Sequence, residues 1–130
     1  MTNFPKGEIS IQLLAMPADT NPFGDIFGGW LISQMDIAGG IFCRKIAKGR
    51  FVTVAIDSIT FKQPVFVGDI LGCHVELIKK GNTSITVHVE AWVSREFEED
   101  DKIKVTEGNF TYVRIDDNRK PLSLSAKGNT

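Results

Sequence analysis

The chain is poor in cysteine: Cys43 and Cys73 are the two in 130 residues. Two cannot staple a small scaffold, and neither sits in a Cys-x-x-Cys pair or near a histidine at zinc-finger spacing. They read as small buried apolar side chains in a reducing compartment. The chain also lacks an excess of charge. Fifteen Lys and Arg stand against sixteen Asp and Glu, a net of −1, so the basic surplus of a nucleic-acid binder is missing. No apolar run approaches the roughly 18 residues of a membrane span. Met1 to Ser10 is polar, without the apolar core of a secretory signal. A cytoplasmic protein is expected, with no nucleic acid and no membrane among its partners. Internal repeats and low-complexity linkers are absent too.

What is present is an ordinary globular composition, 42% hydrophobic and 24% charged. At about 100–200 residues per domain, this length makes one domain. We place it at residues 1–121 and expect the Ser-, Gly- and Lys-rich stretch from Leu122 to Thr130 to be a flexible tail.

Strand signals fill most of the chain. Ser84 to Val93 alternates, with Ile85, Val87, Val89, Ala91 and Val93 on one face and Ser84, Thr86, His88, Glu90 and Trp92 on the other. That is a half-buried strand. Ile70 to Ile78 alternates likewise, placing Leu71, Cys73, Val75 and Leu77 together, and Lys79-Lys80-Gly81-Asn82 turns one run into the other. Phe51 to Phe61, Ile103 to Ile115 and Ile9 to Met16 supply three more. The acidic run Glu96, Glu98, Glu99, Asp100, Asp101 falls between two of these strands and reads as a solvated hairpin loop.

One segment breaks the period of two. From Gly28 to Ala47, the residues Leu31, Ile32, Met35, Ala38, Ile41, Phe42 and Ile46 recur at three- and four-residue steps, which predicts a helix with one apolar stripe. A glycine-rich loop, Asn21 to Gly29, precedes it, and Lys48-Gly49 is a plausible stop. The expected class is α+β: one long helix wrapped by a curved antiparallel sheet of about five strands. A single helix covers one side of such a sheet, and a second copy of the chain is the simplest cover for the rest.

Asp36 lies inside that helix, followed by Gly39-Gly40. Two helical glycines cost about 1 kcal/mol each against alanine, so something must approach closely there. Either the sheet packs on the glycines while Asp36 faces water, or Asp36 acts beside a cleared backbone as general base or nucleophile. The loop before the helix offers free amides and the positive end of the helix dipole, fit for a phosphate or an oxyanion. It matches neither a Walker nor a GxGxxG pattern, which argues against nucleoside triphosphate or dinucleotide binding. Ser33, Ser58 and Ser84 lack a GxSxG context. His74 and His88 lie within strands and read as structural, and no cluster has metal-ligand spacing.

Asp19-Thr20-Asn21, Gly24-Asp25-Ile26-Phe27-Gly28-Gly29-Trp30 and Ser33-Gln34-Met35-Asp36 together resemble the hotdog-fold acyl-CoA thioesterases, most closely the bacterial YciA type. Val52 to Ala55, Phe61 with Pro64-Val65, Val67-Gly68-Asp69 and Lys80 to Ser84 also fit. The resemblance runs from about Leu14 to about Lys120. It implies the hotdog fold and hydrolysis of acyl-CoA thioesters to free CoA and carboxylic acid. It implies Asp36 as general base or nucleophile, Asn21 as the residue positioning thioester or water, and the Gly28 and Gly29 amides as the carbonyl's donors. Arg50, Lys80, Gly81, Asn82, Thr83 and Ser84 match places where such enzymes contact the CoA nucleotide. Pro22-Phe23 departs from the pattern, and Phe23 is expected to shape the acyl pocket.

The expected substrates are short- to medium-chain acyl-CoAs, handled without metal or cofactor, CoA being part of the substrate. A hotdog module that binds acyl-CoA without hydrolysing it is the alternative, against which Asp36 and Asn21 both stand. A hotdog dehydratase needs a histidine ahead of or within the helix, and none is there. Asp36 lies seven residues beyond Gly29, about 10 Å along a helix axis. A carbonyl on the glycine amides is therefore out of reach of Asp36 in the same chain. Two antiparallel helices across a two-fold axis would bring them together. A homodimer with shared sites is expected, assembled into a hexamer (trimer of dimers) or a tetramer.

Overall fold

The structure is a computed structural model that describes residues 4–95 and 102–127. Strand β1 (Glu8–Leu14) leads through a short 3-10 turn at Pro17–Asp19 and a loop to helix α1 (Gly28–Ile46). Four strands follow: β2 (Arg50–Phe61), β3 (Ile70–Lys80), β4 (Ser84–Ser94) and β5 (Ile103–Ile115). They form one antiparallel sheet in the order β1-β3-β4-β5-β2, open at both edges. This is the helix-in-sheet arrangement the periodicities predict, although the first strand, expected over Ile9 to Met16, runs Glu8–Leu14.

Alternation delivers the core. Leu71, Cys73 and Val75 of β3, the five apolar residues of β4 and Phe110 and Tyr112 of β5 face α1, which touches all five strands. The helix meets them with Leu31, Met35, Ala38, Gly39 and Cys43. Burying these aliphatic side chains contributes about 1.5–3 kcal/mol apiece for the larger ones. Burial also pushes both cysteine thiols up to about 12, so they stay protonated and unreactive. After the helix, Gly49 takes φ +125, which lets the chain reverse into β2.

Four local expectations change. The helix stripe is rotated: Ile41 faces outward with Ile37, and Gly39 and Cys43 point inward. Leu77 is exposed, lying beyond Val75, the last residue of β3 that β1 pairs. The second face of β4 is not simply solvated: Glu90 and Trp92 are buried there, Trp92 Nε1 donating to Glu90 Oε1 at 2.9 Å. The stretch after Pro121 is tied down as far as Ala126: Leu122 N donates to Arg114 O, Leu124 N to Asn82 O, and Arg114 Nη1 to the carbonyls of Ser123 and Ala126. The acidic run at 96 and 98–101 lies outside the described residues.

Candidate active site

The loop before α1 is built around Asn21. Its Oδ1 accepts the amides of Phe23 (2.9 Å) and Asp25 (3.1 Å), its N–H donates to Asp25 O, and its carbonyl accepts Gly24 N–H. Since two backbone donors fix Oδ1, the side-chain orientation is determined. Nδ2 is left as a donor without a partner among the described residues. Asn21 lines a cavity of about 360 Å³ with Asp25, Ile26, Gly28, Leu31 and Phe61. The helix enters this cavity bare. Phe27 supplies no side-chain cap and no acidic residue sits in the first turn. The amides of Gly28 and Gly29 therefore keep free hydrogens at the positive end of the dipole. A Cβ at Gly28 would stand 3.3 Å from the Phe61 ring, whereas Gly29 is open to space.

Asp36 is two turns further on and does not line that cavity. Its Oδ1 accepts a hydrogen bond from Thr53 Oγ1 of β2 at 2.7 Å. Its backbone carbonyl accepts from the hydroxyl of Tyr112 at 2.6 Å. Tyr112 explains the first helical glycine: a Cβ at Gly39 would collide with its hydroxyl. Of the two readings of the glycine pair, packing by the sheet is the one seen at Gly39. At Gly40 a Cβ would meet only Tyr112 Cε1 at 3.8 Å, ordinary contact. Burial first, and then the charge of Asp36, hold the Tyr112 phenol far above its usual range, so it stays a donor. Thr53 and Tyr112 thus clamp side chain and backbone at Asp36. Neither was singled out from the sequence, because they arrive from 17 and 76 residues away.

The remaining residues are dispersed. Phe23 sits at the loop tip, 89% exposed, and is not among the residues lining the cavity beside Asn21. Arg50 lines a separate groove between the end of α1 and the start of β2. The Lys80–Ser84 turn joins β3 to β4, two to three strands from β2, about 10–14 Å at the usual strand spacing. That turn is occupied internally: Gly81 N–H donates to Ser84 O, Thr83 O accepts Arg114 N–H, and Asn82 Oδ1 accepts Ser123 Oγ. One chain does not bring it to Arg50.

On the sheet's outer face, His88, Glu90 and Glu107 place three potential metal-ligand atoms within 4.8 Å. Lysines already neutralise the two carboxylates. Lys104 lies 3.6 Å from Glu90 and 3.3 Å from Glu107, and Lys62 lies 3.3 Å from Glu107. Burial works against the Glu107 carboxylate, and hydrogen bonds from Lys62 and Lys104 more than offset it, drawing its pKa down. The group reads as an ion network.

A family model described as the thioesterase superfamily matches residues 23–96. The acyl-CoA thioester hydrolase YciA of Salmonella typhimurium is 48% identical over 130 residues, 98% of this chain and 98% of that one. A hexameric thioesterase from Yersinia pestis superposes with a TM-score of 0.89 at 50% identity, covering 95% of this chain and all of that one. A hexameric hotdog-fold thioesterase of Campylobacter jejuni superposes at 0.85 with 43% identity, covering 92% of this chain and 91% of that one.

Proposed function

This chain belongs to the thioesterase superfamily and has the hotdog fold, and from that premise we propose that it hydrolyses acyl-CoA thioesters to CoA and carboxylic acid. The observation that carries this reading is the pairing of a bare helix N-terminus facing a cavity with a carboxylate held by Thr53 on the same helix. The thioester carbonyl rests on the Gly28 and Gly29 amides, with Asn21 Nδ2 as a third donor to the carbonyl or to water. Asp36 takes a proton from water as the water attacks, or it attacks the carbonyl carbon itself to give an enzyme-bound anhydride that water then hydrolyses to the acid and free Asp36. The tetrahedral oxyanion is stabilised by donors already in place, where one such donor is worth about 10²–10³ in rate. Collapse expels the CoA thiolate, which is protonated from solvent or, where Asp36 has acted as the base, from Asp36. Short- to medium-chain acyl groups, no metal or cofactor, and a cytoplasmic site of action complete the reading.

The site is shared between two chains. Asp36 is about 10 Å along the helix from Gly29 and lies outside the cavity that Asn21 and Gly28 line. The side that would meet a second copy is apolar and open: Ile37, Ile41, Val54, Ile56 and Phe61 are all exposed, and β2 is an unpaired edge. The hexameric relatives favour three such dimers over a tetramer. The test is complementation. Asn21→Ala and Asp36→Ala proteins, each nearly inactive, are unfolded, mixed equally and refolded. Random pairing makes half the dimers mixed, each with one intact site, so activity recovers to roughly a quarter of wild type. Activity that stays at the single-mutant level defeats the shared site. Wild-type protein that releases no CoA from any acyl-CoA defeats the hydrolase reading itself.

A further inference from the structure

The turn of α1 that begins at Asp36 has little side chain to offer the sheet. Ile37 faces outward, and Ala38, Gly39 and Gly40 follow it. The larger side chains that anchor the helix, Leu31, Met35 and Cys43, lie before and after this turn. Between them the sheet takes hold of the helix backbone instead. Tyr112 of β5 donates its hydroxyl to Asp36 O at 2.6 Å, and Ser10 of β1 donates to Ala38 O at 2.8 Å. Both carbonyls lie inside a continuous helix, where the amide four residues on already serves them. The two hydroxyls are therefore extra ties between sheet and helix, and do not rescue unsatisfied groups. Filling the core does not require the one on Tyr112. Phe110, two residues earlier and on the same face of β5, is fully buried without a hydroxyl. The Tyr112 hydroxyl also demands glycine at position 39, in mid-helix, where glycine weakens the helix.

Tyr112 is, moreover, the register partner of Thr53, the residue bonded to the Asp36 carboxylate at 2.7 Å. Directly opposed residues on neighbouring strands share one face of the sheet. One rung of the β2–β5 ladder thus holds Asp36 by side chain and main chain at once. β2 bulges just after that rung, between Thr53 and Ala55, and bulges re-aim side chains beside functional sites. A buried tyrosine hydroxyl takes some acceptor wherever it ends. A glycine cleared in mid-helix, a shared rung and a bulge, all at one residue pair, exceed that need. We infer that Tyr112 is a positioning residue for the hydrolysis: its hydroxyl fixes the helix turn that sets where the Asp36 carboxylate stands, while Thr53 fixes which way it points. This rests on the acyl-CoA reading and adds a residue that never touches the thioester. Thr53 alone is not enough, because a helix free to slide on the sheet carries the carboxylate with it. A displacement of about 1 Å at the reacting groups is worth about 100-fold in rate. Losing the tie should therefore slow turnover and leave substrate binding in place.

The experiment is steady-state thiol release from a short-chain acyl-CoA, run beside urea unfolding of the same full-length proteins. Tyr112→Phe should lower kcat by about 10- to 100-fold and leave KM close to wild type. Gly39→Ala pushes the same hydroxyl off the carbonyl by another route and should lower kcat similarly. Gly40→Ala meets Tyr112 only at ordinary contact distance and should keep kcat. The double variant Gly39→Ala/Tyr112→Phe separates position from packing. Its urea midpoint should recover part of what Gly39→Ala loses, while its kcat stays low. It also carries the comparison if Tyr112→Phe alone folds poorly. A kcat that climbs back with the midpoint overturns the positioning role. So does a wild-type kcat in Tyr112→Phe, a raised KM at unchanged kcat, or a fall in Gly40→Ala as deep as in Gly39→Ala. Each of these leaves the hydrolase reading standing. Wild type that releases no CoA from any acyl-CoA takes both down.

Discussion

The neighbouring glycines of α1 should respond to alanine with opposite signs. Helix propensity favours alanine at both positions by about 1 kcal/mol. At Gly40 little opposes that gain, since the new methyl meets Tyr112 Cε1 at 3.8 Å. Gly40→Ala should therefore stabilise the protein by up to about 1 kcal/mol. At Gly39 the methyl runs into the Tyr112 hydroxyl and comes within 2.9 Å of Cε2 and Cζ. Tyr112 is 2% exposed, so its ring has no solvent to retreat into. Overpacking costs about 1–3 kcal/mol, and pulling the hydroxyl off the Asp36 carbonyl leaves a buried polar group for another 1–3 kcal/mol or so. After the helix gain is subtracted, Gly39→Ala loses roughly 1–5 kcal/mol. Urea unfolding at fixed protein concentration reads this directly. With a slope near 2 kcal/mol per molar, a loss of about 3 kcal/mol moves the midpoint down by about 1.5 M. Tyr112→Phe in the Gly39→Ala background removes the colliding oxygen and should recover part of the loss, a coupling a double-mutant cycle measures. Midpoints that shift in the same direction for both glycines would refute the packing account.

Three responses concern the acid and its surroundings. Asp36→Asn should cut kcat by about 10²–10⁴-fold if Asp36 is a general base, and by more if it is a nucleophile; a rate near wild type in a thiol-release assay excludes both roles. Thr53→Val removes the bond to Asp36 Oδ1 and should lower kcat by about 10- to 100-fold, whereas a mere surface contact would leave kcat untouched. His74 is held below its usual pKa, by burial first and the charge of Lys102 among the opposing and reinforcing neighbours. The unfolded chain therefore binds its proton at higher pH than the folded one, so this residue's contribution to stability is complete above about pH 6.5 and declines as pH falls below that. His74→Gln should flatten the pH 7 to 5 limb of the urea midpoint, and an unchanged limb would show that another group sets it.

Strand periods made most of the fold legible: the alternation of Ile85 to Val93 names the strand and its core face at once. The direction of the helix stripe was not. Ile37 and Ile41 are as apolar as Leu31 and Met35, and spacing cannot tell a sheet-facing isoleucine from one on an open face. Gly39 points inward because Tyr112, far along the chain, fills the space a side chain would need. The second face of β4 misleads similarly: Glu90 is buried because Trp92, Lys6 and Lys104 reach it, and those partners are set by register. At the candidate site, Asp36 and the glycine-rich loop stood out from local pattern, and Asn21, Gly28 and Gly29 gained their roles from the resemblance carried by the string from Asn21 to Asp36. Thr53 and Tyr112 were invisible, since their roles exist only once β2 and β5 close on α1.

The strand order has a consequence for how the chain is made. β5 lies between β4 and β2, yet it is the last strand translated, and β2 has no other strand partner within the chain. β2 leaves the ribosome first and must wait while the stretch from Phe61 to Ile103 is synthesised, roughly 2–8 s at 5–20 residues per second. During that interval α1 has lost neither its apolar face nor its need for a cover, and two strand edges that will later be interior are open to the wrong neighbour. The nascent protein is thus a poor candidate for stepwise completion on the ribosome. Its last strand acts as a keystone, and slowing translation between β2 and β5 should lengthen the window for misassembly rather than help the chain to fold.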